Sequence, residues 1–199
     1  AGLVVRGECA ASTRWQGSLG GDGFSVGVSH LTLAGETAVH ARRAPRAILR
    51  QARIEGAAVF ERVASAEVVD SELTAERLPG PALVTVNESA FVSRRSVLRD
   101  APGIGLWASM PVDVAPCADD PRPACPFSSA VLLYETLVAN TGSFGVLSDR
   151  GALRIRRSRV DGATATGARL ERAFAAIGDG TRITNSGIGL HARSSRLDL

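Results

Sequence analysis

The chain has 199 residues, 45% of them hydrophobic and only 5% aromatic, with 21 glycines and a formal charge of +3. That is enough apolar material for one cored domain and too much for a disordered chain, and the mild charge, carried by arginine with no lysine, offers no basic nucleic-acid stripe. No apolar run approaches the roughly 18 residues of a membrane-spanning helix, and Ala1–Arg6 has neither the basic nor the apolar part of a signal peptide.

In chain order, one four-residue pattern recurs: a small residue, an apolar residue, a variable residue and usually a second small one. It reads Gly2-Leu3-Val4-Val5, Ala38-Val39-His40-Ala41, Ala58-Val59-Phe60-Glu61 and Ala82-Leu83-Val84-Thr85. It continues as Gly105-Leu106-Trp107-Ala108, Gly145-Val146-Leu147-Ser148, Gly167-Ala168-Arg169-Leu170 and Gly189-Leu190-His191-Ala192. The apolar anchors step by 36, 20, 24, 23, 40, 22 and 22 residues, so the unit is near 22 and two steps are long. Insertions at about 7–22 and 109–129 account for those two.

A second frame fills the intervals. In Leu153–Gly162 apolar residues alternate, skip at a bend and resume through a small residue; Phe24–Leu33, Ala47–Gly56, Ala66–Ala75, Phe91–Asp100 and Val131–Asn140 fit it too. The residue after the bend is Ser29, Ala52, Ser71, Ser96, Thr136 or Ser158, with Leu31, Ile54, Leu73, Leu98, Val138 or Val160 two places later. Alternation with period two means strands, and three short strands per 22 residues without hairpin dipeptides exclude a meander or a sandwich. Each coil must lie on its predecessor, which gives parallel ladders around an apolar interior. The expectation is an all-β, right-handed parallel β-helix of about seven coils, one domain over 1–199, reading as an excerpt of a longer solenoid. Leu170–Ala176 is the one stretch with a competing helical reading.

These repeats resemble the right-handed parallel β-helix of the pectin-lyase-like superfamily, and the resemblance covers the whole chain. It implies that the small-apolar pattern forms the first sheet, that the insertions leave the turn after it, and that ligand lies on that sheet's outer face. The outward stripe then reads Val4, His40, Phe60, Val84, Trp107, Leu147, Arg169 and His191. Glycoside hydrolysis needs two carboxyl groups about 5–10 Å apart, and this stripe carries none. The superfamily's polygalacturonase, methylesterase and epimerase motifs do not occur as sets, so no cofactor is implied.

Trp107 is the leading binding residue, with Phe60, Phe144, Leu147 and Arg169 around it; the occupant is a protein partner or a polysaccharide. Asp149 and Glu171 sit three residues past their anchors on neighbouring coils, where they can share a cation such as calcium or act as an acid and base. Asp100, Asn140 and Asn185 occupy equivalent turn positions that serve backbone. Cys117 and Cys125 bracket a Pro- and Asp-rich stretch and read as a local disulfide, with Cys9 left over, which fits a secreted, periplasmic or cell-surface protein. The functional expectation is a non-enzymatic display, assembly or binding module. Its rival is a polysaccharide lyase or glycoside hydrolase with an atypical site on the same face.

Overall fold

The computed structural model describes residues 2–110, 129–178 and 180–199. They contain no helix and form a right-handed parallel β-helix of about eight turns. Nine strands make one sheet and fourteen make the other, and every ladder is parallel. Within one turn, Ala130–Tyr134 lies in the nine-stranded sheet, and Leu137–Thr141 and Phe144–Asp149 lie in the two halves of the other. The last of these is the first sheet of the sequence reading. Each strand can pair only with the strand one turn away, so the whole chain becomes a stack of near-identical layers.

The interior follows from the alternation. Val131, Leu153 and Ala175 stack in one column, and Leu98, Val138 and Val160 in another, all nearly or fully buried. The residues between them point outward. Corners are sharp because single residues take the left-handed conformation, among them Asp70 (φ 50°), Arg95 (φ 46°), Asn140 (φ 52°) and Arg172 (φ 49°). The hydroxyl after such a residue completes the bend. Ser96 Oγ donates to the Arg94 carbonyl at 2.8 Å and accepts from the Ser71 N–H of the preceding turn at 3.2 Å. Ser71 repeats this with Val69 and Ala52, and Ser158 with Arg156 and Thr136. The stacked small residues are therefore a buried hydrogen-bond ladder.

Four expectations change. The solenoid gains a turn at its start, because Gly2–Arg6 pairs with Ser25–Ser29 in the nine-stranded sheet. Val4 thus leaves the first sheet. Arg14–Gln16 and Leu19–Asp22 pair with the two halves of Thr32–Arg42, so most of 7–22 is coil and only a short loop around Cys9 departs from it. In the earliest copy of the second frame, Leu31 and Leu33, not Ser29 and Leu31, occupy the columns of Ala52 and Ile54. Finally, 170–176 holds the end of strand Thr166–Glu171 and the start of Phe174–Gly178.

The 109–129 insertion leaves from the expected turn. Ser129 Oγ donates to the Ser109 carbonyl at 2.6 Å, and the coil resumes at Ala130. Cys117, Cys125 and their pairing lie outside the described residues. Cys9 is exposed and free.

Candidate functional site

Register alone builds the outer face of the first sheet. His40, Val59, Thr85, Trp107, Leu147, Arg169 and His191 align turn by turn into one outward column. Five of the eight residues expected there are present. Phe60 and Val84 are each displaced by one position and point inward, both 0% exposed; Phe60 packs on Phe91 with ring centroids 5.7 Å apart. A slip of one residue moves a side chain to the opposite face of a strand. Ala57-Ala58 and Ala82-Leu83 each offer two frames for the small-apolar pattern, and only the pairing chooses between them.

Two residues further along each strand runs a second outward column: Arg42, Glu61, Asn87, Ser109, Asp149, Glu171 and Arg193. This column holds the carboxylates that the central stripe lacks, and at Asp149 and Glu171 the four-residue pattern ends just before it. Asp149 and Glu171 are register partners on adjacent strands, as their positions past the anchors imply. That spacing puts their strands about 4.8 Å apart.

Both carboxylates are held by arginines. Asp149 accepts from Arg150 at 3.1 and 3.3 Å and from Arg172 at 3.4 Å, while Glu171 accepts from Arg169 Nε at 2.8 Å. The Arg169 guanidinium also lies 5.1 Å from the centre of the Phe144 ring, a cation–π contact. Among the described residues, no group of three His, Cys, Asp or Glu is arranged to hold a metal ion.

The arrangement thus brings Trp107, Leu147, Phe144 and Arg169 onto one face and leaves Phe60 in the core. Trp107, Leu147 and Phe144 are half-buried. The indole N–H of Trp107 is enclosed and has no hydrogen-bond partner among the described residues. Along this face the structure offers an apolar and aromatic strip beside a row of compensated charges, suited to binding and poor in free acid or base.

Earlier turns carry a polar cluster that the sequence reading passed over. His40 Nε2 lies 3.5 Å from Glu61 Oε2, Arg42 Nε lies 3.6 Å from the same oxygen, and Ser109 Oγ donates to Asn87 Oδ1 at 2.5 Å. A cavity of about 320 Å³ opens beside it, lined by Arg42, Glu61, Asn87, Glu88 and Ser109. At the far edge Arg43 hydrogen-bonds Asp22 and holds its carboxyl below the usual range. His40 and His191 stand six turns apart in the column and act separately.

No protein-family model, no curated protein and no solved structure matches this chain.

Proposed function

We propose that the chain is a non-catalytic polysaccharide-binding module, similar in build to the pectin-lyase-like superfamily, and that it works outside the cytoplasm. The contact surface is the outer face of the first sheet. The observation that carries this reading is the grouping of Trp107, Leu147 and Phe144 with Arg169, an aromatic strip bordered by hydrogen-bonding side chains. Sugar rings present one face of C–H groups and a rim of hydroxyls, and that strip offers a stacking surface with polar groups beside it. Catalysis is the weaker reading because Asp149 and Glu171, the one register-paired set of carboxylates near Trp107, are both occupied by arginines.

The test is affinity electrophoresis and calorimetry of the protein and its Trp107→Ala/Phe144→Ala variant. The ligands are xylan and β-glucan, which are neutral, and polygalacturonate and alginate, which are acidic. Loss of the aromatic pair costs about 2 kcal/mol if it anchors the ligand, a roughly 30-fold weakening. The residues sit on the outer face, so circular dichroism of the variant stays that of the parent. Undiminished binding by the folded variant refutes the site. Unsaturated products or new reducing ends would replace the binding reading with an enzymatic one.

A further inference from the structure

A groove of about 460 Å³ lies at the corner where strands such as Leu137–Thr141 pass into the first sheet. It crosses four successive turns, with Glu76, Asp100, Pro102, Asn140, Gly142 and Thr164 along it. Only Ser143 separates Gly142 from Phe144, so the groove adjoins the aromatic strip along the chain.

The corner itself explains why the groove is open. Asp100, Asn140, Gly162 and Asn185 occupy it turn after turn, all left-handed, at φ 58°, 52°, 67° and 51°. Asn and Asp tolerate that conformation, and three of the four positions use them. Backbone geometry therefore does not demand glycine at 162. Its effect is on the side-chain ladder. Asn140 Nδ2 donates to Asp100 Oδ1 at 3.0 Å, and an amide at 162 would donate to Asn140 Oδ1 in turn. Glycine breaks the chain there, and Asn185 instead donates to Asp161 Oδ1 at 2.8 Å. Asn140 Oδ1 is left facing the space a side chain would fill, since a Cβ on Gly162 would lie 3.2 Å from it.

The free groups exposed along this gap are acceptors, while the unpaired hydroxyl of Thr141 beside it is buried. Asn140 Oδ1 and the exposed Glu76 carboxylate make no hydrogen bond among the described residues. Thr164 has its proton committed to the Thr141 carbonyl at 3.1 Å, which leaves its oxygen to accept. Pro102 and Gly142 contribute no polar side chain, and Gly142 is pressed so close to the Pro102 carbonyl that a Cβ would come within 2.1 Å. Acceptors beside small, apolar residues suit a ligand that donates many hydrogen bonds and has an apolar face.

We infer that this corner groove is a second saccharide subsite, held open by Gly162 and read through Asn140, Glu76 and Thr164. The ligand class rests on the polysaccharide reading above; the location does not.

The experiment compares Gly162→Asn, Trp107→Ala/Phe144→Ala and the triple variant with the parent, using calorimetry on the same four polysaccharides. Asn tolerates the left-handed φ better than other side chains and extends the ladder, so the fold is retained, checked by circular dichroism, with a modest fall in melting temperature while the gap is filled. The expected result is a roughly tenfold loss of affinity from Gly162→Asn in both the parent and the double-variant background. If Gly162→Asn binds like the parent while the aromatic variant is weakened, the groove is refuted and the first-sheet site stands. If the aromatic variant binds like the parent and Gly162→Asn does not, the groove alone is the site. If the parent binds none of the four, both readings fall.

Discussion

Replacing Ser96 by alanine tests whether the stacked hydroxyls hold the corners or merely fit them. Ser96 is 2% exposed, and its Oγ accepts the hydrogen bond of the Ser71 N–H. Alanine keeps the volume close but leaves that N–H buried and unpaired, and it takes a donor from the Arg94 carbonyl. An unsatisfied buried donor costs about 1–3 kcal/mol, so we expect roughly 2 kcal/mol of destabilisation. For a chain of this length that is a fall of about 4–8 °C in melting temperature. Threonine is the control, because Thr136 fills the equivalent corner with its methyl accommodated and its hydroxyl bonded to the Tyr134 carbonyl at 3.1 Å. Urea unfolding followed by far-ultraviolet circular dichroism, with slopes compared between variants, gives the difference. A Ser96→Ala change within about 0.5 kcal/mol of the parent refutes the ladder as a source of stability. Equal damage from Ser96→Thr shows that shape, not the hydroxyl, matters.

Three further outcomes follow from the register and the charges. Phe60→Ala, removing a fully buried ring, lowers stability by about 3–5 kcal/mol in the same assay, whereas its half-buried neighbour Val59 gives a much smaller change; comparable effects would put the register in error. Gly142→Ala pushes a methyl against the Pro102 carbonyl and costs at least about 1–3 kcal/mol, read as a lowered melting temperature; an unchanged value would mean that the corner relaxes freely. Arg95 and Arg43 hold Asp70 and Asp22 below the usual carboxylate range through hydrogen bonds. Their contribution is therefore full above pH ~4 and is lost as pH falls through the lowered folded values. Asp70→Asn reduces the acid sensitivity of the melting temperature, as does high salt; an acid profile identical to the parent's would remove that pair from the explanation.

The fold was legible because a solenoid repeats its physics. A column such as Leu98, Val138 and Val160 is visible at 40- and 22-residue spacing, and each copy confirms the others. The first turn was hidden for the opposite reason: it is the least regular copy. Gly2-Leu3-Val4-Val5 mimics the first-sheet pattern, yet Leu3 and Val5 align with Val26 and Val28 of the nine-stranded sheet. The loop around Cys9 then separates it from two short strands that share a single long neighbour, Thr32–Arg42. Pairing resolves what composition cannot, because both readings place apolar residues at alternate positions.

The outer face was legible at Trp107, Leu147 and Arg169, where glycine fixes the frame of the pattern, and misread at Phe60, where consecutive alanines allow two frames. Of its charged column only the Asp149–Glu171 pair was read, and Glu61 was passed over for a related reason. Glu61, Asp149 and Glu171 each precede a left-handed arginine, Arg62, Arg150 or Arg172, so in sequence they look like turn charges. In three dimensions the last residue of the strand still points outward, beside the stripe, before the chain bends. The corner arginine then pairs with a carboxylate of its own or an adjacent turn, as Arg62 does with Glu88 of the following turn at 3.0 Å and Arg172 with Asp149 of the preceding one. The corner thus determines the chemistry of the face. Corner arginines neutralise Asp149 and the stripe's own Arg169 neutralises Glu171, which leaves aromatic surface and hydrogen-bonding groups as the means of recognition, the basis for proposing binding without catalysis.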